Sequence, residues 1–437
     1  MENKKNPLSG IITVDNNTKI NFYLDGYTVT FLNTDFSEIE LDGQFVFGHT
    51  YGFNNIAIYK GNNTISLNGS IKLNTGAYIV AVDNALSTDW NTFDSLEFRG
   101  GILNSLFVCN ALKRESKDDD DIHFRQQNDS LRWTITIDEC ECELVVGSRI
   151  NEKNGLEGTS LSNNTACMVL KFSKPQPLES AFKYIQKAKE ALGFMIFRKN
   201  VGFEDIYLVH NDKYISRMQV FIREEQPVTS KQFRNCITFH DLDTSVAALF
   251  SVVFNSKDGQ PSYELGFLPS FDNDAGMISN EKIRLICSSL ECELSFIDDL
   301  YPEEEQSLKK LIKDTKDAIK AHRKTTERLS DKTYDLIFSS IENWTMSASD
   351  KVWGIYQRYK DELNLVNRTD ISIDEASIRK FIKYRNKITH GTYQIIDQEV
   401  ATTAYILQGL VYCCILTRFG IDKHRLKMLC NNKMFLC

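Results

Sequence analysis

Residues 372–391, SIDEASIRKFIKYRNKITHG, carry the clearest helical signal in the chain. Ser372 and Glu375 have the spacing of a capping box, so we expect a helix over residues 373–390. Apolar residues then recur at three- and four-residue steps and define one buried stripe, formed by Ile378, Phe381, Ile382 and Ile388. Gly391 marks the expected end of the helix.

One position inside this stripe breaks the pattern, because it holds Arg385. Arginine is rarely buried without a partner, so this residue needs an explanation. One explanation is structural: Arg385 pairs with an acid such as Asp374, Glu375 or Asp397 and joins helices. The other is functional and rests on the residues that follow Arg385.

The predicted helix ends in RNKITHG, which places His390 five residues after Arg385 and directly before Gly391. At 100° per residue the two side chains stand about 140° apart around a straight helix, so they do not share one face. His390 falls in the last turn, where free carbonyl groups favour a positively charged imidazole. Arginine suits phosphate binding and histidine suits proton transfer, although a plain helix-capping role for His390 stays open.

In the surrounding region, residues 301–437, the sequence pattern predicts a bundle of five helices with short connections. Besides the helix just described, the expected helices are PEEEQSLKKLIKDTKDAIKAHRK, SDKTYDLIFSSIENW, SASDKVWGIYQRYKDEL and residues 398–419. This region holds 23 Lys and Arg against 18 Asp and Glu, whereas the rest of the chain holds 28 against 41. A chain of net charge −8 therefore has a mildly basic C-terminal part, which is the better place to seek a polyanionic partner.

The sequence of the first half, residues 1–225, predicts a β-rich domain. Runs of β-branched and aromatic residues alternate with Asp-Gly, Asn-Gly and Lys-Gly turns between residues 10 and 110, which favours a sandwich or a curled sheet. We expect exposed loops at the charged residues 113–121 and at the Gly-, Asn- and Ser-rich residues 151–165. Later strands are expected at LRWTITIDECECELVVGSRI, ACMVLKFS, FMIFRK, DIYLVHN and YISRMQVFIR.

Two further features complete the expected architecture. An amphipathic helix begins at Leu178, after Pro175 and Pro177, and Gly193 is expected to end it. Residues 226–300 form a connecting α/β region with helices favoured at HDLDTSVAALFSVVF and EKIRLICSSLECELSFIDDLY. At 437 residues the chain is long enough for two or three domains. We therefore predict an α+β multidomain protein with a sandwich-like N-terminal region and a C-terminal helical bundle.

Other signals are few. GxGxxG, GxxxxGK[ST], HExxH and GxSxG are absent, which argues against a nucleotide-driven motor, a zinc protease and an ordinary serine hydrolase. The eleven cysteines are an odd number without a CxxC pair, which favours reduced thiols in the cytosol. No run of about 18 apolar residues occurs, so we expect neither a membrane span nor a secretory signal.

An Arg-x4-His motif with a polar residue after the arginine, on a late helix of an all-α bundle, resembles the active-site motif of HEPN ribonucleases. With a long β-rich region in front, the chain is most similar to the Apea-like HEPN proteins of bacterial phage defence. The resemblance implies that Arg385, Asn386 and His390 are catalytic, with Asn386 orienting the phosphate or the histidine. Over the first 300 residues the resemblance is one of architecture only. Tyr393 lies one residue later than the tyrosine of the His-x-Tyr pattern that is modified in some HEPN toxins.

The resemblance also implies a function. It is metal-independent cleavage of RNA without a cofactor, in which the ribose 2′-OH is the nucleophile and the products carry a 2′,3′-cyclic phosphate and a 5′-OH. The motif would act in at least a homodimer formed through the bundle. The implied protein is cytoplasmic and cuts tRNA or other cellular RNA in abortive infection. Its N-terminal region either senses a trigger, such as a phage-derived one, or holds the nuclease inactive.

Two other functions stay open at this point. In the first, the bundle is an inactive HEPN dimerisation module, and the β-rich region recognises a ligand, a peptide or a carbohydrate. In the second, the protein is the toxin of a toxin–antitoxin pair.

Overall fold

The chain divides into two compact units: residues 1–260 with 269–272, called the β unit, and residues 261–268 with 273–437, called the helical unit. The expected connecting region, 226–300, is thus shared between them. The expectation of an α+β chain, with a large sheet first and helices after it, is confirmed. The computed structural model describes residues 6–14, 18–34, 37–62, 64–82, 91–108, 112–118, 121–126, 130–155, 158–211, 215–256, 266–297, 302–325, 328–342, 347–367, 373–392 and 395–434.

The β unit is built from antiparallel strands. Those in the described residues are β1 (Leu8–Val14), β2 (Thr18–Asp25), β3 (Thr28–Leu32), β4 (Ile39–Leu41), β5 (Phe45–Thr50), β6 (Asn55–Tyr59), β7 (Ile65–Leu67), β8 (Ser70–Asn74), β9 (Ala77–Ala81), β10 (Thr92–Arg99), β11 (Leu112–Asp118), β12 (Asp121–Gln126), β13 (Ser130–Ile137), β14 (Cys140–Gly155), β15 (Gly158–Pro177), β16 (Asp205–Asn211) and β17 (Ile215–Ile222). Thirteen of them form one sheet in the order β13-β14-β15-β10-β16-β17-β9-β6-β5-β1-β2-β3-β8. The pairs β11-β12 and β4-β7 form two small sheets.

The link between β8 and β9 makes the large sheet curl back on itself. Only Thr75 and Gly76 separate these strands in sequence, yet five strands lie between them in the sheet. Such a link reaches about 10 Å, whereas six strand spacings of a flat sheet span about 29 Å. The Thr75 N–H donates to the Tyr27 carbonyl at 2.9 Å, and the Thr75 hydroxyl lies 2.5 Å from the Tyr59 carbonyl oxygen. Of the two architectures expected from sequence, the curled sheet is the one observed.

The concave side of this curl holds an apolar core. In β2 the buried residues alternate with exposed ones, as one-sided burial of a strand requires. The small sheet β4-β7 closes the core with Ile39, Leu41 and Leu67. The members contributed by the large sheet include Ile12, Ile20, Phe22, Val29, Phe31 and Ile58, which are at most 2% exposed.

Helix α2 corrects two expectations. The helices of the β unit in the described residues are α1 (Leu103–Leu106), α2 (Ala181–Ile196), α3 (Phe239–Leu242) and α4 (Ser245–Phe254). Gly193 was expected to end α2, but the helix continues to Ile196, and the carbonyl oxygen of Arg198 comes within 2.5 Å of where a Cβ on Gly193 would stand. The glycine is required for close packing. The expected strand FMIFRK is wrong because its first residues belong to α2, where burial outweighs their β propensity.

The two expected loops are also wrong. Residues 113–121 lie mostly in the hairpin β11-β12, and residues 151–165 lie mostly in the paired ends of β14 and β15, down to the pair Gly155–Gly158. Strand pairing is made by backbone groups and tolerates polar or charged side chains where a face meets water. Composition alone therefore misassigned both segments.

The helical unit follows the predicted pattern more closely. Its described helices are α5 (Asn280–Leu294), α6 (Pro302–His322), α7 (Asp331–Glu342), α8 (Ala348–Asn367), α9 (Glu375–Thr389), α10 (Gln398–Arg418) and α11 (Lys423–Asn432). Helix α5 confirms the first part of the helix favoured at EKIRLICSSLECELSFIDDLY but ends at Leu294, and it belongs to this unit although it precedes residue 301. Helix α11, which Asp422 caps, was not predicted.

Helix α10 lies at the centre of the helical unit, in contact with α5, α8, α9 and α11. It is long and apolar enough to cross a membrane, but 78% of its most apolar window is buried within the fold. A helix that is apolar on all sides is typical of a protein core as well as of a membrane span. Here other helices of the same unit cover it.

Replacing Gly10 with alanine should destabilise the β unit. Gly10 in β1 pairs with Thr50 in β5, and an added Cβ would lie 2.0 Å from the His49 carbonyl oxygen, so the strands would have to separate. We expect the free energy of unfolding, measured by urea denaturation, to fall by about 3 kcal/mol. Gly76→Ala is the control, because nothing lies within 4 Å of its added Cβ. Equal stability of the two variants would contradict the close approach at Gly10.

Candidate active site

Helix α9 carries the Arg-x4-His sequence, and its apolar stripe packs against α5, α8 and α10. The stripe differs from the expected one at a single member, since Ile382 is only half-buried and Tyr384 is buried. The Tyr384 hydroxyl donates to the Asn280 side chain of α5 at 2.7 Å. The buried residues of α9 are Ile378, Phe381, Tyr384 and Ile388.

The start of α9 lies later than the capping box predicted. Asp374 is the N-cap, and its carboxylate accepts from the Ser377 N–H at 2.8 Å. Ser372, the expected cap, lies outside the described residues. Aspartate suits the N-cap as well as serine does, so local composition did not distinguish the two.

Arg385 binds an acid that the sequence did not indicate. Its Nη2 donates to Glu291 Oε1 of α5 at 2.5 Å. The three acids considered from sequence have other partners: Asp374 caps α9, Glu375 binds Arg379, and Asp397 binds Lys380. The Arg385 side chain is 23% exposed and that of Glu291 is 48% exposed, so the pair lies at the border between core and solvent.

The side chain of Asn386 contacts Arg385, whereas its bond to His390 is a regular backbone bond of the helix. Its side-chain oxygen accepts from Arg385 Nη1 at 3.1 Å, and its backbone carbonyl accepts from the His390 N–H at 3.1 Å. The guanidinium of Arg385 is therefore held by two acceptors, one on α5 and one on its own helix. Five N–H donors are available on a guanidinium, so this arrangement leaves others for a ligand.

His390 stands at the exposed end of α9 as its C-cap. Gly391 follows with φ of 81°, its N–H donates to the Ile388 carbonyl, and the Thr392 N–H donates to the Lys387 carbonyl. These two bonds form a Schellman motif, which confirms that the helix ends at this glycine. Within the described part of the chain no hydrogen bond is made by the His390 imidazole. Tyr393 lies outside the described residues.

Two residues near the motif were missed from sequence, Glu291 and Arg284, both on α5. The Arg284 guanidinium donates to the carbonyl of Ile388, at the end of α9. Seven residues separate Arg284 from Glu291, so the two share one side of α5 and can both reach α9. They are about a hundred positions from the motif, and no local pattern links them to it.

A buried cysteine lies beside the ion pair of Arg385 and Glu291. Cys287 is buried close to Arg385 and Glu291, and burial raises the pKa of its thiol to about 12 although the arginine charge opposes this. A thiol with this pKa is protonated at neutral pH, and only the thiolate attacks efficiently. The Cys287 thiol is therefore a poor candidate for a nucleophile at this site.

The site offers one proton-transfer group and one cationic hydrogen-bond donor. Across the described residues no group of three or more His, Cys, Asp or Glu side chains is arranged to hold a metal ion. Arg385 faces α5 and His390 faces solvent at the helix end, and among the described residues no hydrogen bond joins their side chains. Such a set can bind an oxyanion and move a proton beside it.

Comparison of the chain with protein-family models, with curated proteins and with solved structures finds no match.

The pair between Arg385 and Glu291 should contribute little to stability. Pairs that are partly exposed contribute about 0–1 kcal/mol, so Glu291→Gln should lower the free energy of unfolding by less than about 1 kcal/mol in urea denaturation. Ile388→Ala, on the same helix at 2% exposure, is the comparison and should cost about 2–5 kcal/mol. Equal losses in the two variants would identify the ion pair as a structural tie.

Proposed function

We propose that this chain is a metal-independent endoribonuclease of the HEPN type, with Arg385, Asn386 and His390 as its catalytic residues. The observation that carries the proposal is the position of the Arg385 guanidinium. It is fixed by Glu291 and Asn386, keeps further donors, and belongs to the same helix end as an exposed histidine. An arginine and a histidine can stabilise phosphoryl charge and transfer a proton, as transesterification of a phosphodiester needs.

In the proposed reaction, the His390 imidazole takes the proton of a ribose 2′-OH, and the 2′-oxygen attacks the adjacent phosphorus. Arg385 donates hydrogen bonds to the phosphoryl oxygens while negative charge develops on them. The bond to the 5′-oxygen breaks, and a protonated imidazole gives that oxygen its proton. The products are a 2′,3′-cyclic phosphate and a 5′-OH. Because the nucleophile belongs to the substrate, RNA is cut and DNA is not.

The exposed position of His390 supports a site shared between two copies of the chain. One imidazole can act as base or as acid, whereas the reaction uses both roles at the same time. A second motif across a homodimer supplies the other imidazole and brings an arginine of one copy toward the histidine of the next. This arrangement overcomes the 140° separation within one helix.

The biological role that follows is defence in the cytoplasm. Cleavage of tRNA or other cellular RNA stops growth of an infected cell, and a phage-derived trigger acting on the β unit releases the activity. The mildly basic composition of residues 301–437 supports RNA as the partner. A toxin controlled by a separate antitoxin uses the same cleavage chemistry, with the antitoxin and not the β unit as its regulator.

A second function has one observation in its favour. The ion pair with Glu291 is also what a purely structural arginine would make, and it fits an inactive bundle that only dimerises the protein while the β unit binds a ligand. The two functions differ in what substitution of Arg385 and His390 does to RNA.

Arg385→Ala and His390→Ala should each lower RNA cleavage by about 10²-fold or more, since each removes a transition-state interaction. Wild type and variants are expressed with and without phage challenge, and total RNA is analysed for integrity and for 2′,3′-cyclic phosphate ends. Lys380→Ala is the matched control on the same helix, because its amine is bound to Asp397 and Glu399. The control should cleave like wild type.

Three results would contradict the proposal. RNA that stays equally intact in wild type and in both variants under phage challenge would exclude the nuclease. Cleavage that disappears with EDTA would exclude the metal-independent mechanism.

The third result concerns the shared site. We expect light scattering after gel filtration to give at least a dimer, and an excess of His390→Ala chains mixed with wild type to lower the activity below that of the same amount of wild type alone, because a mixed dimer lacks one of the two imidazoles. A fully active monomer would overturn the shared site.

A further inference from the structure

A polar patch lies on one face of the large sheet, across β10, β16 and β17. Glu97, Tyr207 and Gln219 stand directly opposite one another in these strands. Arg99 is two residues along β10 and Arg217 is two residues along β17, so strand alternation puts both on the same face. They flank Tyr207 on its two diagonals, where backbone positions are about 7–8 Å apart. We call these five residues the Tyr207 patch.

The carboxylate of Glu97 is already neutralised by other groups. Its side chain is 2% exposed and accepts from Arg99 Nε at 2.8 Å and from the Cys167 thiol at 3.2 Å, while Arg149 Nη2 lies 3.0 Å away. Burial alone would raise the pKa of Glu97, but the hydrogen bond from Arg99 and the charge of Arg149 outweigh it and hold the pKa below its usual value. Glu97 is therefore ionised, and its Oε1 is the common acceptor for Arg99, Arg149 and Cys167.

The patch contains more donors than acceptors. Arg99 Nη2 and Arg217 Nε are both shielded from solvent, and neither has a hydrogen-bond partner among the described residues. The other nearby acid, Asp205, accepts from Gln219 at 2.8 Å. A buried donor without an acceptor costs about 1–3 kcal/mol, so two of them on one face call for an acceptor that the described residues do not supply.

Tyr207 adds a third donor between the two arginines. The Arg99 guanidinium lies over its ring, with 4.4 Å from Cζ to the ring centroid. Burial and the charge of Asp205 raise the pKa of Tyr207 above its usual value, against the opposing charges of Arg99 and Arg217. The phenol consequently keeps its proton at neutral pH and is able to donate it in a hydrogen bond.

We propose that the Tyr207 patch binds a phosphoryl group, with Arg99, Arg217 and the Tyr207 hydroxyl donating to its oxygens. Three donor groups on three neighbouring strands match in number the three oxygens of a phosphoryl group better than the two oxygens of a carboxylate. Three arginines, including Arg149, stand here against the two carboxylates of Glu97 and Asp205, so the excess of positive charge also favours an anion. The site belongs to the β unit and does not depend on the proposed ribonuclease activity.

Inorganic phosphate tests this site in the full-length protein. At constant ionic strength set with chloride, phosphate should raise the midpoint of thermal unfolding in a saturable manner, and calorimetric titration should give the matching dissociation constant. Arg217→Gln removes a guanidinium that makes no ion pair with described residues, so stability without phosphate should not fall, whereas the affinity for phosphate should drop at least tenfold. Arg132→Gln is the matched control, since Arg132 lies in the same sheet and is paired with Glu143 at 2.9 Å.

Four outcomes would overturn the proposal: no saturable response to phosphate in wild type, an equal response in Arg217→Gln, loss of the response in Arg132→Gln, or equal stabilisation by acetate. The last would show a site for carboxylates. A wild-type response that only Arg217→Gln loses, with unchanged stability in the absence of phosphate, supports the assigned site.

Discussion

A helix that is apolar on all sides has to be surrounded by others, and this requirement organises the helical unit. Helix α10 is buried along most of its length, with Leu407, Leu410 and Val411 fully covered. Helices α5, α8, α9 and α11 provide the cover. Because α9 must turn its own apolar stripe inward, its opposite side meets solvent, and the end that carries His390 is left exposed. The position of the candidate site is thus a consequence of burying α10.

Helix α5 holds both α9 and α10 through two acids that differ in their exposure to water. Glu293 is 2% exposed and binds Arg418 at the end of α10, whereas Glu291 is 48% exposed and binds Arg385 of α9. Breaking a buried pair leaves an uncompensated charge and is costly, while a pair at the surface exchanges its partner for water or an anion at little cost. The first pair is therefore a lasting structural tie. The second pair positions Arg385 and leaves it able to exchange Glu291 for water or an anion.

Sequence patterns predicted the structural features that are determined within a single segment of the chain. The capping residues, the periodicity of FIKYRNKITHG and the glycine at its end act within one helix, and α9 matches them to within two residues. The partner of Arg385 could not be predicted, because Glu291 lies 94 positions away and meets it only through helix packing. The same limit explains the wrong strand prediction at FMIFRK, because burial in α2 outweighs the β propensity of these residues. It also explains the wrong loop predictions at 113–121 and 151–165, because these segments pair through their backbone groups. The contacts that surround Arg385 and His390 in space were not predictable from the sequence.

The short link at Thr75 and Gly76 also affects the order in which the large sheet is assembled. Strands β1 to β9 pair with one another, so this curled part has nearly all its partners once residue 81 has left the ribosome. The remaining edge of β9 pairs with β17, which ends at residue 222, and β10 is separated from β9 by β16 and β17 although it follows β9 in the chain. Completion of the sheet is therefore a contact of long sequence separation, which forms slowly compared with local pairing. Until then the newly made chain carries an open strand edge at β9.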